Sequence, residues 1–307
     1  MTPQNLNIGV GLFVYNRPWH TQQVVNSLKI NKIKKLYIFC DGTKDKILTG
    51  DIQQTRAIVQ DIDWCSTKIT LHVGNLGVVN NIVFGINKMF EENEAVIILE
   101  DDCVVRADFY YFMSACLNYY KDFPEVMHVS AYQFPINLKE KPSCDLYFSF
   151  RPMSWGFGLW KRSWPYFRMN IEDALDYFNR GDLERRKIFS DKHKEGIKDV
   201  IAGRINSFAY RWFFLINKNN GFCATPYESY VRNIGHDGTG VHCRKTNLND
   251  IPGEIWNRPP KNERNPLVFP SKIVHDNCMD SLVKNYDKGI PIVNLAKKII
   301  KNFKNVI

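Results

Sequence analysis

Short apolar runs alternate with amphipathic stretches through the first hundred residues. Residues 8–15 are apolar and strand-like, and Asn16-Arg17-Pro18 breaks the run. Trp19, Val24, Val25 and Leu28 then recur at helical spacing over 19–28. Residues 36–40 predict a second buried strand ending at Asp41-Gly42, 52–62 a helix, and 68–73 a third strand. After Gly74-Asn75-Leu76-Gly77, the positions Val79, Ile82, Val83, Ile86, Met89 and Phe90 mark one helical face, and 95–99 is a fourth strand. Short apolar strands separated by helices of this length predict βαβ units, hence an α/β fold with a mostly parallel sheet.

Residues 108–120 predict a helix with Asp108 as its cap, and 126–130 a further strand. From about residue 148 the pattern changes. Arg151-Pro152-Met153-Ser154-Trp155-Gly156-Phe157-Gly158-Leu159-Trp160 reads as a Gly- and aromatic-rich loop, and 171–205 as mobile helices or an insertion. An aromatic helix over 206–219 stops at Asn219-Asn220-Gly221. The five prolines of 244–272 suggest an extended wrap or a lid. These shifts divide the chain into 1–130, 131–243 and 244–307. In the last segment Ile292, Leu295, Ala296, Ile299, Ile300, Phe303, Val306 and Ile307 form an apolar stripe, with Lys297, Lys298, Lys301 and Lys304 largely opposite. That pattern fits a basic amphipathic helix on an anionic membrane surface, and equally a docked helix with solvated lysines.

At 307 residues, 44% hydrophobic and 24% charged, the chain is globular and can bury a large core. The N-terminus reads as a strand, not a signal peptide, and no run approaches the ~18 apolar residues of a membrane span. Eight cysteines lie scattered without C-x-x-C pairs, which suggests neither zinc nor a disulfide framework and favours a reducing cytoplasm. The formal charge of +9 implies an anionic partner, without choosing among nucleic acid, phospholipid and sugar nucleotide.

The densest chemistry is Glu100-Asp101-Asp102, where the fourth apolar run discharges into three consecutive carboxylates. Open α/β sheets bind ligands at the carboxyl edge of their strands. Acids in a row repel one another, so a cation is expected there, and hard oxygen ligands beside a diphosphate suit Mg2+ or Mn2+. A solvated acidic turn is the plainer alternative. The other strand ends add Arg17, Asp41 and Gly74-Asn75-Leu76-Gly77 to the same edge, while neither G-x-G-x-x-G nor a P-loop occurs. A nucleotide would therefore be held by side chains and a metal.

In their order these motifs resemble the GT-A-fold glycosyltransferases, and among them the N-acetylglucosaminyltransferase I-like group with its bacterial relatives. The likeness continues through Asp108-Phe109-Tyr110-Tyr111-Phe112, Val129-Ser130-Ala131, the Trp155 loop, Tyr210-Arg211-Trp212 and Asn233-Ile234-Gly235, covering about 7–243. It implies a metal-dependent, inverting enzyme that uses a nucleotide-sugar, UDP favoured, on an oligosaccharide or lipid-linked glycan acceptor. Surface polysaccharide synthesis at the inner face of the membrane would follow, with no role for nucleic acid. Asp102 would bind the metal, Asp101 face the ribose, Glu100 hold the sugar or back the metal ligand, and Arg17 and Asp41 bracket the base. Asn75 and His242 would join the donor site. Trp155, Gly156 and Phe157 would wall the sugar, unless they are simply a packed turn.

One position departs from the resemblance. An inverting enzyme needs a carboxylate to take the acceptor's proton. In similar bacterial sequences an aspartate stands in the aromatic helix where this chain has Ala209. Position 209 is then an engineered alanine, or Asp237 is the base, or activity is lost and the chain is a binding scaffold. Clustered carboxylates also serve nucleotidyl transfer, although a triphosphate loop is not found.

Overall fold

The computed structural model describes residues 5–44, 49–136, 138, 142–239, 251 and 253–287. The chain begins β1 (Ile8–Val14), α1 (Pro18–Ile30), β2 (Lys35–Cys40), α2 (Gly50–Gln60), β3 (Ser66–Leu71), α3 (Val78–Met89) and β4 (Ala95–Glu100). These four strands are parallel and adjacent, with β1 between β2 and β4. Then come β5 (Cys103–Val105), α4 (Phe109–Tyr119), β6 (Val126–Ser130), β7 (Leu146–Ser149) and β8 (Phe157–Trp160). Four helices follow: α5 (Ala174–Arg180), α6 (Leu183–Lys187), α7 (Asp191–Ile201) and α8 (Phe208–Lys218). Strands β9 (Phe222–Pro226) and β10 (Val231–Asn233) and helices α9 (Gly253–Trp256) and α10 (Asn277–Asp287) complete the described chain.

One eight-stranded sheet runs β3-β2-β1-β4-β8-β6-β9-β7, and β10 pairs with β5 in a separate ribbon. The sheet is mixed and mostly parallel, and it continues across residue 130, joining the first two sequence segments. Alternation along β1 explains its two covered faces. Val10, Leu12 and Val14 pack with Val24 and Leu28 of α1 and Phe112 of α4. Phe13 points the other way, toward Ile82 and Ile86 of α3 and Trp212 of α8. The apolar stripe of α3 recurs at helical spacing, which is why that helix was legible in the sequence.

Several expectations need correction. The Gly-aromatic stretch is not wholly loop: its second half is β8, inserted antiparallel between β4 and β6. Asp108 stands at the N-cap of α4 but does not cap it. Both carboxylate oxygens instead take Arg106, at 3.0 and 3.1 Å, and Oδ2 also takes the Lys261 backbone N–H at 2.8 Å. Residues 171–205 hold the helices α5 to α7 and bury Ile171, Ala174, Phe189 and Ile197 against the α8 side of the core. In the described part of the proline-rich segment, Arg106 Nη1 donates to the Ile255 carbonyl at 2.7 Å, and Arg232 Nη2 to that of Ile251 at 3.0 Å.

The outer edge of β7 is covered by residues 268–280. Asp145 N–H donates to the Val268 carbonyl at 2.8 Å, and Asp276 N–H to that of Phe148 at 2.9 Å. Asp280 accepts from Ser149 Oγ at 2.5 Å, anchoring α10 there. Among the described residues no helix is long and apolar enough to cross a membrane. The stripe at 292–307 lies outside them.

A buried histidine ties β6 to α8. His128 Nδ1 accepts from Trp212 Nε1 at 3.1 Å, so Nε2 carries the proton and faces the Met153 carbonyl at 3.2 Å. Burial holds its pKa down to about 3, against 6.5 ordinarily. The unfolded chain thus binds a proton that the folded chain refuses until far lower pH. Stability is full above about pH 6.5 and is lost as pH falls toward 3. Urea unfolding of wild type should shift to lower midpoints as pH falls from about 7.5 to about 5, and less steeply for His128→Gln, which keeps an acceptor and a donor. Parallel pH slopes would show that His128 is not responsible.

Candidate functional site

Residue pairing builds the site. Phe13 is the last residue of β1 opposite β4, and it faces Glu100, so Asp101 and Asp102 emerge just beyond the parallel pairing. β5 follows at once and pairs with β10 in the register Cys103↔Asn233. That ribbon brings residues 233–237 back over the carboxylates. Ile234 N–H donates to the Asp102 carbonyl at 2.9 Å, and Asn233 Nδ2 to Asp102 Oδ1 at 3.3 Å.

Arg17 approaches from the other side. Proline at N1 starts α1 directly after it, and Nη1 reaches Asp102 Oδ2 at 3.0 Å and Asp101 Oδ1 at 3.4 Å. Burial lowers the guanidinium's pKa, but Asp101 and Asp102 more than offset this, so it stays raised. One guanidinium faces three acids. Burial, then the charge of Asp102, pushes the Asp101 carboxyl up to about 7. Burial, then Asp102 and Asp101, pushes Glu100 up to about 8. A cluster that resists full ionisation with a single cation beside it favours further positive charge.

The other predicted donor residues divide. Asp41 is buried, and its carboxylate accepts from the backbone N–H groups of Gly42, Leu76 and Gly77 at 2.8, 2.7 and 3.0 Å. Asn75 Nδ2 donates to Asp41 Oδ2 at 3.1 Å and to the Gly42 carbonyl at 3.0 Å. These two residues tie the β2 end to the start of α3, and their side chains are already engaged. Arg17 likewise turns to the acids. Phe157 is a core residue, 1% exposed and stacked with His128 and Phe208, so it walls no sugar. Gly156 takes a left-handed φ of +70°. Trp155 is half-buried and packs edge-on to Tyr132 and to His236 of the covering loop.

Ala209 is exposed in the first turn of α8. Asp237 is exposed on the covering loop, where the Thr239 backbone N–H above all lowers its pKa and makes it a weaker base. Its Oδ2 lies 3.1 Å from Nε2 of His20, a buried histidine of α1. Burial, then Arg17, lowers the His20 pKa. Sequence reasoning missed His20, since a lone histidine in a helix carries no signal of what a loop two hundred residues later places beside it. His242 lies outside the described residues.

A Mg2+ or Mn2+ ion takes one or two carboxylates and fills its shell with phosphate oxygens and water. The described residues hold no closed group of three or more His, Cys, Asp or Glu ligands. Adjacent carboxylates at an open strand end do suit such partial coordination, so the donor set fits the ion.

No protein-family model matches the chain, and neither does any curated protein. Among solved structures it is similar to a mannosyltransferase from Pyrobaculum calidifontis in complex with GDP-Man and Mn2+, at 10% identity and TM-score 0.39, covering 71% of this chain and 70% of that one. It is also similar to TarS from S. aureus, at 10% identity and TM-score 0.41, covering 75% of this chain and 37% of that one. A UDP-glucose pyrophosphorylase complexed with UDP-glucose matches at 13% identity and TM-score 0.28, over 47% of this chain and 62% of that one. Likenesses this faint carry no weight for function.

Two glycines separate scaffold from site. A Cβ on Gly42 would lie 2.3 Å from the Gly74 carbonyl oxygen, against backbone that cannot yield. A Cβ on Gly235 would lie 2.2 Å from Asp102 Oδ2, against a side chain that can move. Gly42→Ala should therefore cost ~1–3 kcal/mol of stability. Gly235→Ala should unfold near the wild-type midpoint yet weaken Mn2+ binding measured by titration. Equal losses of stability in both variants would contradict this division.

Proposed function

We propose that the chain is a GT-A-type, metal-dependent glycosyltransferase. It moves a sugar from a nucleotide-sugar, UDP favoured, to a glycan acceptor with inversion. The observation that carries the reading is the convergence of Glu100, Asp101 and Asp102 with Arg17 at the carboxyl edge of the parallel strands, under the 233–237 loop. This edge is where open α/β sheets take nucleotides. Asp102 would hold the Mn2+ or Mg2+ ion with Glu100 behind it. Bound there, the ion would neutralise charge developing on the leaving diphosphate. Asp101 would face the ribose, and Arg17 would meet phosphate with its guanidinium fork. Trp155, His236 and the covering loop would shield the sugar from water. Surface polysaccharide synthesis and a lipid-linked acceptor extend the same proposal.

The acceptor's proton needs a base. The lowered pKa of Asp237 weakens it as a base, and the exposed first turn of α8, where Ala209 stands, is the other position for a carboxylate. Sugar nucleotides incubated with Mn2+ should yield free sugar and UDP. Release of UMP or pyrophosphate would indicate nucleotidyl transfer instead, and binding without turnover a scaffold. Asp102→Ala should abolish turnover while circular dichroism stays unchanged, and near-wild-type activity would refute its assignment.

Ala209→Asp should raise transfer by ~10²–10⁴-fold, the usual contribution of a positioned base. If that change has no effect and Asp237→Asn eliminates turnover, the base is Asp237.

A further inference from the structure

We infer that Arg17 makes divalent-cation binding at Asp102 conditional on a diphosphate. The guanidinium neutralises the metal-binding carboxylate until phosphate oxygens draw it away. This rests on the reading of Asp102 as metal ligand and adds an order of events to it. Arg17 Nη1 lies 3.0 Å from Asp102 Oδ2, the same oxygen that crowds Gly235, and 3.4 Å from Asp101 Oδ1. An ion coordinated through that oxygen would sit beside a fixed positive charge, and like charges at such range repel strongly where water is scarce. The Arg17 side chain is only 15% exposed.

The same residue is under-used as a donor. Nε and Nη2 are buried without a hydrogen-bond acceptor. A buried donor left unpaired is costly, and a guanidinium fork matches phosphate oxygens two at a time. Arg17 also precedes the first turn of α1, whose N-terminal end favours an anion. A diphosphate would satisfy the idle donors and pull positive charge off Asp102 in one movement. The carboxylate would then be released to the cation. Metal and nucleotide would each raise the other's affinity, by the same factor.

Titration of the full chain with Mn2+, with and without UDP, tests this in wild type, Arg17→Gln and Asp102→Ala. Arg17→Gln should bind Mn2+ alone ~10-fold or more tighter than wild type, as expected for removing an adjacent like charge. The enhancement of Mn2+ affinity by UDP should shrink correspondingly, and Asp102→Ala should lose the binding. Equal affinity of wild type and Arg17→Gln for Mn2+ alone would overturn the role of Arg17 and leave the metal site standing. Failure of wild type to bind Mn2+ even with UDP would instead remove the metal reading itself. Should Arg17→Gln not fold, the wild-type Arg17 Nε–H resonance decides. It should move when Mg2+ and UDP are added together and stay put with Mg2+ alone. A resonance unmoved by both overturns the inference.

Discussion

Mutual repulsion among three consecutive carboxylates is the constraint around which this edge of the molecule is organised. β4 is buried over its whole length until Glu100, and Asp101 beyond it is buried too. Negative charge held in so little water must be met by positive charge or by protons. The chain answers with Arg17 from the start of α1 and with donors from the β10 ribbon. The sheet has to bring β1 beside β4, and the separate ribbon β10 beside β5, for either to arrive.

Asp41 on the same edge shows the opposite solution. Its carboxylate is buried yet well supplied with N–H donors, from Gly42 beside it and from Leu76 and Gly77 at the entry to α3. It needs no cation and is occupied in joining two loops. Two strand-end acids thus differ in what they can do because of the backbone that surrounds them. Their sequence contexts, an apolar run followed by an acid, are alike.

This comparison also marks how far the sequence could be read. The parallel half was legible because strands covered on both faces leave uninterrupted apolar runs, and α3 because its buried positions recur at helical spacing. Glu100, Asp101, Asp102 and Arg17 were found as strand-end residues. β8 was taken for loop because four residues, Phe157–Trp160, become a strand only through pairing with β4 and β6. β5 and β10, at three residues each, were invisible for the same reason. The hydrogen bonds of Asp41 and Asn75 were not legible, because their partners are brought close only by the fold. Phe157 was misjudged because an aromatic beside glycine reads the same whether it lines a cleft or fills a core.

The covering of β7 bears on how the molecule can be handled. Residues 268–280 occupy the peptide groups and flank that would otherwise be an open strand edge at the end of the sheet. An uncovered edge is a template for another chain. A protein shortened ahead of residue 268 would keep its acidic cluster and most of its core while exposing that template. It would be lost from solution by self-association before any defect in chemistry could be measured. The segment farthest along the described chain thus sets where the gene can be cut.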